Sequence, residues 1–91
     1  MLAFRFVVRG RVQGVGYRAW TVREARARGI VGWVRNRADG SVEAVFQGRE
    51  DDVSAMIEAC QKGPRLSVVT TVDTEPHPAG PWADFQALAT A

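Results

Sequence analysis

Ala38-Asp39-Gly40-Ser41 separates two runs that each read as a strand, Ile30–Asn36 and Val42–Gln47. Asp-Gly tolerates the positive φ angles of tight turns, so the two runs are expected to pair as an antiparallel hairpin. That pairing constrains everything around it. A second strand that turns straight back into a third cannot belong to a sheet of successive parallel crossover units. The third strand carries the signal of a half-buried sheet position, with Val42, Ala44 and Phe46 alternating against Glu43, Val45 and Gln47.

The flanking segments complete the pattern. In Ala3–Val12, Phe4, Phe6 and Val8 alternate with Arg5, Val7 and Arg9, again at the period of a strand. Ala19–Arg28 reads as a helix with Ala19, Val22 and Ala25 on one face, Arg23 and Arg26 toward solvent, and Gly29 placed to end it in a left-handed conformation. After the hairpin, Glu50, Asp51 and Asp52 suit a helix N-terminus, and Val53, Met56, Ile57 and Cys60 form its apolar stripe. Leu66–Thr74 is a fourth strand, 75–81 a proline-broken loop, and Trp82–Leu88 a short last strand. The order β-α-β-β-α-β predicts an α+β, ferredoxin-like sandwich, an antiparallel sheet with two helices on one face. Residues 1–91 are expected to form one domain, with no repeat, linker or low-complexity tract.

Composition excludes several classes. The net charge is only +2, and the arginines run from Arg5 to Arg65 interleaved with acids, unlike the concentrated basic stripe of a nucleic-acid binder. The one cysteine, Cys60, permits no intramolecular disulfide and no multi-cysteine metal site, and its helical setting suggests a buried core thiol. Arg5 and Arg9 interrupt the apolar N-terminus, which therefore lacks the core of a signal peptide. No apolar run approaches the ~18 residues of a membrane span, so a cytoplasmic protein without membrane attachment is expected. His77 reads as a solvated loop residue, and Trp20 and Trp33 as packing residues.

Gly10-Arg-Val-Gln-Gly-Val-Gly-Tyr-Arg18 carries the chemistry. Gly14 to Ala19 matches the relaxed dinucleotide pattern GxGxxA between a strand and a helix, and Asp39 stands about twenty residues on, where a ribose-binding acid would be. The hairpin and the short chain remove that reading, because neither builds the doubly wound sheet a dinucleotide requires. A glycine-rich loop entering a helix presents several N–H groups to one point, a ready anion site. Arg18 adds a planar fork that can hold two oxygens of a phosphate. On the residues alone, the loop is a binder of a small phosphate or carboxylate, or else simply a tight turn. Asn36, at the end of the second strand, can approach that loop, although asparagine beside a turn also serves turn chemistry.

These two stretches, GRVQGVGYR at 10–18 and GWVRNRADGSVE at 32–43, resemble the two signatures of the acylphosphatase family, and the similarity runs from Phe4 through Gly63-Pro64 to Phe85. The resemblance implies hydrolysis of acyl phosphates, mixed carboxylic–phosphoric anhydrides, with neither metal nor organic cofactor. It implies Arg18 and Asn36 as catalytic residues and Gln13, Gly14, Val15, Gly16, Tyr17 and Arg18 as the phosphate cradle. Tyr17 departs from the commoner phenylalanine, Arg28 from the usual aliphatic residue, and Arg65 and Ser67 vary a less strict segment. The partner implied is a small-molecule acyl phosphate rather than nucleic acid or membrane, the start and length favour a free-standing enzyme, and a monomer is the default expectation for a compact domain. The other readings are a domain of a larger maturation protein and a non-catalytic module binding an anion or RNA. Against RNA, the aromatics of the central strands alternate onto the expected core face.

Overall fold

The computed structural model describes the whole chain, Met1–Ala91. In chain order the elements are β1 (Leu2–Arg11), α1 (Tyr17–Ala27), β2 (Val31–Asn36), β3 (Val42–Gly48), α2 (Glu50–Lys62), β4 (Val68–Pro76) and β5 (Phe85–Ala87). They form one five-stranded sheet in the order β4-β1-β3-β2-β5. The first four strands in sequence pair antiparallel, and both helices cover one face. The ferredoxin-like α+β arrangement expected from the sequence is thus the architecture found.

Alternation sorts the two faces as predicted. Phe6, Val8, Val42, Ala44, Val34 and Phe46 belong to the core beneath the helices, where Phe6 and Phe46 meet with ring centroids 5.7 Å apart. Val53, Met56 and Cys60 of α2 enter the same core, with Ile57 packed at its margin. On the opposite face Glu43 is only 5 % exposed yet satisfied, receiving hydrogen bonds from Arg5 Nε at 2.6 Å and Arg35 Nε at 2.8 Å. Arg35 also lies over the Trp33 ring, 4.9 Å from its centroid. The open face is therefore covered by the Glu43 charge pairs together with the Arg35–Trp33 stack.

The first helix and the last strand differ from the sequence expectation. α1 begins at Tyr17, two residues before Ala19, because Gly16 serves as N-cap at φ +80° and leaves no Ser or Asp signal. Its buried stripe is accordingly Tyr17, Thr21 and Ala25, with Ala19 exposed and Val22 only half-buried. The Thr21 hydroxyl donates to the Tyr17 carbonyl at 2.7 Å, which lets a polar residue sit in that stripe. At the other end Ile30 N–H donates to Ala25 O and Gly29 N–H to Arg26 O, the paired bonds of a Schellman ending around Gly29.

The hairpin turn is wider than a two-residue loop. Asn36 pairs with Val42, and Arg37 N–H and Gly40 N–H close the turn onto Ser41 O and Arg37 O. Only Gly40 takes positive φ, while Asp39 accepts from the backbone N–H of Ser41.

The last strand is shorter than expected and parallel to β2, making the sheet mixed. The chain leaves β4 at the end of the sheet where β2 begins, crosses that end, and must then run in the direction of β2. The crossing is stitched down in passing: His77 N–H donates to Ala3 O, Gly80 and Gln47 exchange two hydrogen bonds, and Gly32 N–H donates to Asp84 O.

Candidate active site

A concavity of about 390 Å³ opens where β1 ends, α1 starts and β2 runs out, lined by Gly14, Gly16, Arg18, Ala19, Asn36 and Ala87 together with Val12 and Tyr17. Arg18 and Asn36, eighteen positions apart in the chain, face the same space. The sheet brings them together. Asn36 follows Val34 on the helix-side face of β2, and α1 packs on β2 and β5, so its first turn stands over the end of that strand.

The loop is built to leave its amides free. Gly14 and Gly16 take φ +74° and +80°, conformations that L side chains rarely adopt, and a Cβ at either would meet nothing within 4 Å. The glycines therefore answer to the backbone and to whatever occupies the concavity, not to crowding within the protein. The first backbone bond of α1 is Trp20 N–H to Gly16 O, and no side chain caps the helix. None of the N–H groups from Gln13 to Ala19 has an acceptor within the protein. The first turn also lacks an acidic residue that would occupy the positive end of the helix dipole. Arg18 forms no salt bridge, unlike Arg5, Arg9, Arg26, Arg28 and Arg35. A cluster of free N–H groups at an uncapped helix start, with an unpaired guanidinium beside it, is suited to an oxyanion.

Two cradle residues are placed differently from the others. Val15 does not line the concavity and packs against the core margin. Gln13 turns its carboxamide away to the hairpin, donating to Arg37 O at 2.8 Å and Ser41 O at 2.9 Å. Tyr17 contributes backbone only. Its ring is 2 % exposed, and its hydroxyl donates to Cys60 O of α2 at 2.5 Å. Burial pushes that phenol well above its ordinary range. Burial likewise pushes the Cys60 thiol up to about 12. Neither serves the concavity as an acid or nucleophile. Ala87 was not anticipated, since nothing in a three-residue strand signals that it reaches back to the first loop. His77 lies across the sheet beside Trp82, remote from the concavity. No three His, Cys, Asp or Glu side chains are arranged to hold a metal ion, and no helix is long and apolar enough to cross a membrane.

Comparison with known proteins gives a consistent picture. The acylphosphatase family model matches residues 4–87. A curated acylphosphatase of Nitrobacter hamburgensis is 54% identical over 72 residues, covering 79% of this chain and 73% of the relative. One of Azorhizobium caulinodans is 49% identical over 87 residues, covering 92% and 91%. The crystal structure of acylphosphatase from Bacillus subtilis superposes with a TM-score of 0.94 at 37% identity, covering 97% of this chain and 99% of that one.

Proposed function

From the premise that this chain belongs to the acylphosphatase family, and is a hydrolase of acyl phosphates, we propose a division of labour within the concavity. Arg18 and the free amides that border the concavity, among Gly14, Gly16, Tyr17, Arg18 and Ala19, hold the phosphoryl group, and the Asn36 carboxamide aims the attacking water. The observation that carries this reading is the convergence of groups without partners. The Arg18 guanidinium, the Asn36 carboxamide and the unpaired loop amides border one space and are not consumed by the protein.

The chemistry asks for little more. The leaving group of an acyl phosphate is a carboxylate, whose conjugate acid has a pKa of about 4, so it departs without a proton. No carboxyl or imidazole lines the concavity, and none is required as general acid. In a loose phosphoryl-transfer transition state the nucleophile is weakly bonded, so a strong base adds little and positioning and charge stabilisation dominate. The P–O bond to the acyl group breaks with its electron pair on the carboxylate. The water oxygen bonds to phosphorus, and its proton passes to a phosphoryl oxygen, the nearest base.

The test is release of phosphate from benzoyl phosphate in metal-free buffer by the native chain and by Asn36→Ala. The variant should lose about 10²-fold in kcat, the scale of one preorganised group, while inhibition by inorganic phosphate stays unchanged. Near-native kcat in the variant, or loss of phosphate inhibition with the fold intact, would remove Asn36 from the water-positioning role.

A further inference from the structure

We propose that Gln13 is a positioning residue for the reaction, a strut that sets the distance between the phosphate loop and Asn36. The inference rests on the assignment of Arg18 and Asn36 above. Both N–H groups of its carboxamide are used, one on Arg37 O and one on Ser41 O. Arg37 directly follows Asn36, and Ser41 closes the same turn. The β1–β3 ladder ends at Val8 and Val42, and beyond it β1 pairs only with β4. No backbone hydrogen bond joins residues 12–16 to residues 37–41. The two Gln13 bonds are thus the polar tie between the loop that carries Arg18 and the strand end that carries Asn36.

The hairpin does not need Gln13 for its own closure. Arg37 O also accepts from Gly40 N–H, and Ser41 O from Arg37 N–H, so losing the carboxamide orphans neither carbonyl. What the tie adds is register between two pieces of the site. It also explains the residue type. Two donors on one atom at the end of a two-methylene stem describe glutamine. Glutamate would aim a carboxylate at two carbonyls, and asparagine is a methylene short.

The experiment compares Gln13→Met, which keeps the stem and removes the donors, in the native and Asn36→Ala backgrounds, with benzoyl phosphate as substrate and inorganic phosphate as inhibitor. Gln13→Ala carries the same expectations should methionine disturb packing, and thermal unfolding confirms that each variant is folded. Gln13→Met should lower kcat by about 10- to 100-fold, the effect of misplacing a reacting group by about an ångström, with phosphate inhibition retained because Arg18 and the loop stay together. In the Asn36→Ala background the same change should cost almost nothing, since there is no carboxamide left to misalign. A kcat unaffected by Gln13→Met, or an equal loss in both backgrounds, overturns the positioning role. Near-native kcat in Asn36→Ala alone instead overturns the underlying assignment of Asn36.

Discussion

Tyr17→Phe isolates one hydroxyl whose partner has no substitute. In a continuing helix the Cys60 carbonyl would accept from the N–H four residues on, but that residue is Pro64, which has none. The Tyr17 hydroxyl from the start of α1 fills the vacancy at 2.5 Å, and Cys60 is fully buried. Phenylalanine keeps the ring and its edge contact with Trp20, centroids 5.6 Å apart, but leaves a buried carbonyl unpaired. An unsatisfied buried acceptor costs about 1–3 kcal/mol. For a domain of this size each 1 kcal/mol lowers Tm by roughly 4–8 °C. The expected fall is therefore about 6–12 °C for a loss near 1.5 kcal/mol, read by calorimetry or far-UV circular dichroism at neutral pH. The pH dependence sharpens the test. Burial raises the folded phenol above its ordinary 10.0, so its stabilisation is complete below the unfolded value and declines as pH rises above it. The gap between native and variant should hold steady through neutral pH and narrow above about pH 10. Because the hydroxyl does not face the concavity, kcat in the folded variant should stay near native. An unchanged Tm, or a gap that widens in alkali, would refute the assignment of that bond.

Arg18→Lys should lose most of its kcat/KM and weaken inhibition by phosphate, because a point charge cannot reproduce a two-pronged hold on neighbouring oxygens; steady-state kinetics showing near-native kcat/KM would contradict the clamp. Glu43→Gln removes the charge that Arg5 and Arg35 share and should cost about 1.5–3 kcal/mol in urea unfolding, the range for hydrogen bonds to charged groups. Desolvation raises the Glu43 carboxyl, but hydrogen bonds from the two arginines outweigh it and hold it below its ordinary 4.5. Its contribution is thus present above that value and lost as pH falls through the folded one, so the stabilities of native and variant should converge in acid. The Cys60 thiol, buried and pushed up to about 12, should resist a thiol-reactive disulfide reagent in the native protein at about pH 8 and react fully on unfolding. Prompt labelling of folded protein would show that α2 opens locally.

What could be read along the chain was whatever each segment decides for itself. The alternation in β3 placed Phe46 and Glu43 on opposite faces, and the spacing of Val53, Met56 and Cys60 marked the buried stripe of α2. Gly29 announced the end of α1. Asp-Gly between runs that end at Asn36 and start at Val42 announced the hairpin and its span, while the closing bonds from Arg37 and Gly40 depend on how the strands arrive. The start of α1 was missed by two residues because a glycine N-cap in the left-handed region leaves no side-chain signature. Arg18 and Asn36 stand out by residue type and by their places at a helix start and a strand end, and family resemblance alone assigns them catalytic roles. Their residue types allow the chemistry, but nothing in their spacing states that they meet.

By itself, then, the sequence determined the elements, their buried faces and the chemical types available, because periodicity and turn chemistry are local consequences of burial and backbone sterics. Tertiary structure alone decided which ends meet. The order β4-β1-β3-β2-β5 sets the first turn of α1 over the end of β2, brings Ala87 back beside the first loop, and lets Tyr17 reach the carbonyl that Pro64 leaves open. It also turns Gln13 from an apparent loop residue into a bond across two strands' ends. Such distances belong to the packing of several segments at once, and no single segment contains them.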